Sequence, residues 1–296
     1  GLVFLDQDSP IRKIDSCSNL LFQNTNDLFH HSIEKDIDGN LWAPTNIYPQ
    51  SILGDLVNRV IPQDGGYRDD AIVKLSPNGT ILFQKSVSQI LIDNGYKYLL
   101  FGQGKQKSDP IHLNDIQPVD FDGPFWKKGD VFLSLRDLSL IILYRPSANK
   151  IIEKIYGPFF SQHDVDILDN NRIAVFNNKM LRTHKGIKID GNNEVNIYNF
   201  KTKKFSSYMK TSLIDNNIST HTEGRSEILS NGDLFLEESN RARTIYFNSD
   251  GTLRWQHYNR ANDGKVYRLG WSRILHSSQD IRIVKNFLNS REKCND

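Results

Sequence analysis

Cysteine is nearly absent: Cys17 and Cys294 are the only two, at opposite ends of a 296-residue chain. Two cysteines do not make a disulfide scaffold, and the paired CxxC spacing of a zinc site is missing. Whether they bridge each other stays open. No apolar run approaches the roughly 20 residues of a membrane-spanning helix. Neither sign of charge prevails, with 37 Lys and Arg against 35 Asp and Glu and a net charge of +2. That balance argues against a nucleic-acid binder, which carries a basic excess. With 24% charged and 38% hydrophobic residues, the chain is no disordered polyelectrolyte either. The opening GLVFLDQDSP has no initiator Met and no cationic-then-apolar order, so it reads as a processed or trimmed chain.

What is present is a repeat. GDLFLEESNRARTIYFNSDGTLRWQHY from Gly232 matches GLVFLDQDSPIRKIDSCSNLLFQNT from Gly1. Each reads as an apolar strand, a polar corner, a second strand, a turn and a third strand. GDVFLSLRDLSLIILYRPSANKIIEKIY from Gly129 follows the same plan, as do NRIAVFNN with EVNIYNFKTKKFSSY, and GNLWAP with DDAIVKLSPNGTILFQKS. A short strand ending at a tight turn precedes each copy: HHSIEKDIDG, HLNDIQPVDF, QHDVDILDNN, EGRSEILSNG and, near the C-terminus, LGWSRILHS.

Four antiparallel strands per unit make the blade of a β-propeller, so the expected class is all-β, a single propeller over residues 1–280 with a tail at 281–296. Five blades are counted, and a sixth has room in the irregular stretches 45–68 and 88–111. The strand around Trp271 has no partners after it and the chain begins without one before it. The N- and C-terminal strands are therefore expected to close the ring within one blade, which removes open sheet edges. A two-sheet sandwich is the alternative. SQILIDNGYKYLL and IRIVKNFLNS carry helical spacing.

Three histidines stand near the starts of inner strands. His31 lies eight residues before Gly39, His163 lies eight before Asn171, and His112 opens a matching strand whose hairpin is lengthened by DGPFWKK. Equivalent positions on successive inner strands face the propeller axis, so the three imidazoles are expected to meet at one mouth. Asn114, Arg136 and Arg225 stand near them. Imidazoles beside arginines suit a tetrahedral oxyanion, because guanidinium presents a planar fork of donors. A neutral imidazole is also a nucleophile. Arginines in this place disfavour a divalent cation, so neither a metal nor a cofactor is expected. Trp126 is taken as a rim aromatic able to touch a phenyl ring, and the other tryptophans as packing between blades.

The segments HLND, GDVFLSLRDLSLI, GPFFSQHDVDILDNNRIAVFNN and EGRSEILSNGDLFLEESN resemble arylsulfotransferases of the bacterial arylsulfate sulfotransferase type. The resemblance covers about 28–275 and implies six blades. It also implies sulfuryl transfer from a phenolic sulfate ester to a phenol without a nucleotide donor, through a transiently sulfated histidine. His163 matches that histidine, His112 and Asn114 the His-x-Asn element, Arg136 the sulfate-holding arginine, and His31, or else His30, the remaining histidine. Arg225 is added as an anion contact. The partners implied are a small aryl sulfate and a phenol, and the location implied is periplasmic or extracellular. The family's extra N-terminal domain, which helps its members dimerise, has no counterpart here, so the oligomeric state stays open. A non-catalytic propeller binding a sulfated or phosphorylated ligand and a sulfatase-like hydrolase are the rival readings.

Overall fold

The structure is a computed structural model, and it describes every residue except 7, 53–66, 103–106, 291–293 and 295–296. Much of the stretch 45–68, expected to have room for a sixth blade, lies outside the described residues. The other stretch forms two helices, α1 (Val87–Asp93) and α2 (Tyr98–Phe101), not strands.

Antiparallel sets of four strands recur along the chain. One set is β8 (Leu113–Pro118), β9 (Val131–Leu135), β10 (Leu140–Arg145) and β11 (Lys150–Tyr156). The next is β12 (His163–Ile167), β13 (Arg172–Asn177), β16 (Glu194–Asn199) and β17 (Lys204–Tyr208), with a hairpin of β14 (Met180–Thr183) and β15 (Gly186–Ile189) inserted. A third is β18 (Arg225–Ile228), β19 (Leu234–Glu238), β20 (Arg243–Phe247) and β21 (Leu253–Tyr258). The first strand of each set contacts that of the next, β8 with β12 and β12 with β18, which is propeller architecture.

Side-chain alternation explains why these sheets stack. In β9 and β10, Leu133, Leu135, Leu140 and Ile142 face one core, shared with Trp42, Ile72 and Ile90. The intervening Phe132, Ile141 and Leu143 face another, shared with Val165, Ile173 and Val175. Ala174 and Phe176 then turn to a third core with Leu234, Leu236 and Ile245. Each middle strand is buried along most of its length because both of its faces are covered. The outermost β21 is exposed throughout.

Buried carboxylates fasten one set to the next. Asp115 Oδ2 accepts from Val165 N–H at 2.8 Å and Asp164 Oδ2 from Ser226 N–H at 2.7 Å. Asp70 Oδ2 accepts from Leu113 N–H at 2.8 Å, and Glu237 Oε2 from Ser272 N–H.

The N-terminal part departs from expectation. Strands β1 (Leu2–Phe4), β2 (Ser9–Ile14) and β3 (Leu20–Phe29) do form, but they are fused to β5 (Leu41–Ile47), β6 (Asp69–Leu75) and β7 (Ile81–Ser86) in one sheet. The fusion runs through Leu28↔Asn46 and Phe29↔Thr45. The first strand of the second set, β4 (Glu34–Lys35), is only a stub.

The segment around Trp271 is not a strand, and β1 pairs with β2 alone. That segment still bridges the last and first sets. Arg225 Nη1 donates to Ser272 O at 2.7 Å, Trp271 Nε1 donates to Glu34 Oε1 at 3.0 Å, and Arg273 Nη2 donates to Ile33 O at 2.7 Å. The tail forms α3 (Ser278–Asn289), and beyond it Cys294 is bridged to Cys17, with Cα atoms 5.5 Å apart. Closing 277 residues removes unfolded-state entropy worth up to about 5 kcal/mol in the loop-closure picture.

Candidate active site

The turns that enter the inner strands carry the histidines in strained backbone. His31 (φ 59°) and His112 (φ 52°) are left-handed, a region that residues with a Cβ seldom occupy. Their registers differ from that of His163, which is the first residue of β12, whereas His112 stands one residue before β8. The rings nevertheless converge. The His31 ring centre lies 5.2 Å from that of His112, 5.9 Å from that of His163 and 5.0 Å from that of His30. The Nδ1 atoms of His30 and His31 are also hydrogen-bonded, 2.7 Å apart, one donating and the other accepting.

Three of the four imidazoles are held neutral. Burial lowers His163 to about 3, helped by the Arg136 cation. Burial likewise pushes His30 and His31 well below the ordinary histidine range, Arg68 and the neighbouring imidazoles adding to it. An uncharged imidazole keeps a nitrogen lone pair, which is what a nucleophile requires.

Other partners fix the rings. His163 Nδ1 lies 2.8 Å from Asn178 Oδ1, and His163 Nε2 accepts from Glu223 N–H at 3.2 Å. Glu223 (φ 54°) precedes Gly224 (φ 87°), and a Cβ on that glycine would come within 2.7 Å of Phe176 and Thr220. Only a glycine lets the turn lie this close over the site. His112 Nδ1 lies 2.5 Å from Asp109 Oδ2, whose carboxyl is held low: burial pushes it up, but the hydrogen bond to His112 and the Arg68 and Arg136 cations together outweigh that.

Arg136 is buried, with its Nε on Asp137 Oδ1 at 2.9 Å. Asn114 is buried and its amide nitrogen donates to Gln162 O at 2.7 Å. Among the described residues no group of three or more His, Cys, Asp or Glu is arranged to hold a metal ion.

Two expected contacts lie elsewhere. Trp126 is 1% exposed and packs edge-on against Phe132 and Phe200, with ring centres 5.7 and 5.2 Å away, so it is core and not rim. Its insertion folds down over the sheet because an indole gains more from burial than from solvent. Arg225 is buried among carboxylates, with Asp164 Oδ1 3.6 Å and Glu227 Oε2 3.7 Å away. Its charge is thus already balanced by its neighbours. Asn178 and the Glu223 backbone escape sequence reading, since they reach His163 from turns 15 and 60 residues away, and Asp109, three residues before His112, belongs to no motif that marks it.

The arylsulfotransferase (ASST) family profile matches residues 2–260. The chain belongs to the arylsulfotransferase family. No curated protein matches it. Among solved structures it is similar to a Dos1 propeller at 12% identity and TM-score 0.47, over 87% of this chain and 56% of that one. A streptogramin B lyase aligns at 12% identity and TM-score 0.46, over 89% of this chain and 85% of that one. Virginiamycin B lyase from Staphylococcus aureus aligns at 10% identity and TM-score 0.42, over 86% and 68%. The chain thus spans just over half the length of the first of these. The family is named for aryl sulfotransfer, a transferase-type activity on small aryl compounds. No helix among the described residues is long and apolar enough to cross a membrane.

Proposed function

We propose that the protein moves a sulfuryl group from a phenolic sulfate ester to a phenol, with His163 as the transient carrier. The observation that carries this is the state of His163: neutral, with Nδ1 on Asn178 and its Nε2 lone pair directed at the Glu223 turn. In the first half, the Nε2 lone pair is released from its hydrogen bond with Glu223 N–H and forms a bond to sulfur while the sulfur–aryl oxygen bond breaks. The departing oxygen keeps that electron pair and takes a proton from His112. The sulfated imidazole retains its Nδ1 proton, stabilised by the Asn178 oxygen. In the second half, an acceptor phenol oxygen attacks sulfur, His112 takes the phenolic proton, and the nitrogen–sulfur bond breaks. Arg136, His31 and the second amide N–H of Asn114 hold the sulfuryl oxygens, where charge is carried through the transition state.

The disulfide and the family resemblance support a periplasmic or extracellular setting, because cytosolic thiols are kept reduced. Intact-mass analysis after mixing with 4-nitrophenyl sulfate, without acceptor, tests the carrier. One added SO3 that is absent in His163→Ala is the expected result. Release of 4-nitrophenol by water alone would instead make it a hydrolase, and binding without release a recognition module.

A further inference from the structure

A cleft of about 650 Å3 lies between the edge strand β1 and residues 268–273, with His31 in its wall. Leu2 and Phe4 from the start of the chain face Leu269 and Trp271 from its end. Phe4 is 37% exposed and Leu2 53%, so both offer apolar surface to an occupant of the cleft. Trp271 is fixed in place, its indole N–H on Glu34 and the Arg225 guanidinium 5.6 Å from its ring centre.

We propose that this cleft takes the aryl body of the substrate, and that this body is uncharged and larger than one phenyl ring. The inference rests on the sulfuryl-transfer reading and names its substrate class. Continuity with the histidines comes from His31, which lines the cleft and stands 5.9 Å from the His163 ring. Size follows from volume, since a cavity of roughly 150 Å3 already accommodates benzene and drug-sized ligands occupy roughly 300–1,000 Å3. Neutrality follows from the two arginines in the lining, both already engaged: Arg268 pairs with Glu223, and Arg273 with Glu34. A carboxylate on the far ring would have to displace one of those partners.

The test compares phenyl sulfate, 2-naphthyl sulfate and a 2-naphthyl sulfate bearing a carboxylate on its distal ring, with one common acceptor. Wild type should prefer 2-naphthyl sulfate, and the carboxylate should raise KM. Phe4→Ala and Leu269→Ala should raise KM for 2-naphthyl sulfate about tenfold, as expected for lost apolar contact, and change phenyl sulfate about twofold or less. Equal effects on both donors, no effect, or preference for the carboxylate overturns the proposal. Calorimetric binding of 2-naphthyl sulfate to His163→Ala, with and without Phe4→Ala, separates the two claims. If nothing turns over but Phe4→Ala still weakens binding, the cleft stands and the transfer reading fails. If transfer is normal and binding ignores Phe4, the cleft assignment fails alone.

Discussion

Asn178 dictates which nitrogen of His163 carries the proton. Its amide nitrogen donates to Thr220 O at 3.2 Å and Glu223 O at 2.7 Å, so its Oδ1, 2.8 Å from Nδ1, can only accept. His163 is therefore protonated on Nδ1, and its lone pair lies on Nε2. Asn178→Ala frees the ring, and kcat should fall about 10- to 100-fold, the usual cost of losing an orienting partner, with KM little changed. Asn178→Asp places a carboxylate beside the ring, favours imidazolium and should move the acid limb of the pH–rate profile upward. An unchanged profile in Asn178→Asp would refute the assignment of His163 as nucleophile.

Asp109 stands to His112 as Asn178 does to His163, but with a charge. The 2.5 Å contact from Oδ2 to Nδ1 leaves Nε2 to handle the aryl oxygen's proton. Removing the charge matters most when the leaving oxygen needs that proton. Asp109→Asn should therefore slow transfer from phenyl sulfate far more than from 4-nitrophenyl sulfate, whose phenolate departs unaided. A uniform slowing across donors would mean that Asp109 only shapes the loop.

Asp115 joins two blades, accepting from Ile116 N–H and from Val165 N–H, each at 2.8 Å. Burial, then the nearby Glu34 and Asp164 charges, pushes its carboxyl well above the usual range. Both of its oxygens accept, whereas an amide accepts with only one, so Asp115→Asn should lose one of the two bonds and lower the thermal midpoint. Asp115→Ala leaves both buried N–H groups unpaired and should cost about 1–3 kcal/mol, more than the Asn variant. Calorimetric melting of the two variants decides it, and an Asn variant as stable as wild type would contradict the need for both acceptors.

These carboxylates mark the limit of what the sequence discloses. Hairpin corners and period-two alternation were enough to expect β8 to β13 and β16 to β21, though not the inserted hairpin of β14 and β15, and to bring His31, His112 and His163 to one mouth. They were not enough for Asp115 or Asn178, whose roles depend on which neighbouring backbone their side chains meet. The DGPFWKK insertion reads as an exposed loop because its length carries no sign of the Phe132 and Phe200 surface that buries Trp126. The LGWSRILHS segment has the alternation of a strand, yet its polar groups are engaged by Glu34, Arg225 and Glu237, so no ladder forms. Trp271 thereby becomes a wall of the cleft, where sequence reading expects only blade packing.

Buried acids also set the pH range in which the fold is strongest. Burial, then the Asp109 charge, raises Asp70 to about 7, and burial raises Asp164 to about 6 against the opposing pull of Arg225. Unfolded aspartate titrates near about 3.9, so the folded state holds more protons between that value and 7, and stability falls as pH rises through the window. His163 has the opposite sign. Lowered to about 3, it makes the unfolded state the better proton binder, so it raises stability with pH through the ordinary histidine value, with a slope that fades above it. His30 and His31, lowered likewise, act in the same direction, so Asp70 is isolated as the difference between wild type and Asp70→Asn, whose amide oxygen can still accept from Leu113 N–H. Between pH 6.5 and 8 the wild-type urea midpoint should fall relative to that of the variant, by the equivalent of about 1 kcal/mol. Parallel profiles in the two proteins would show that Asp70 is already ionised in the folded protein at pH 6.5.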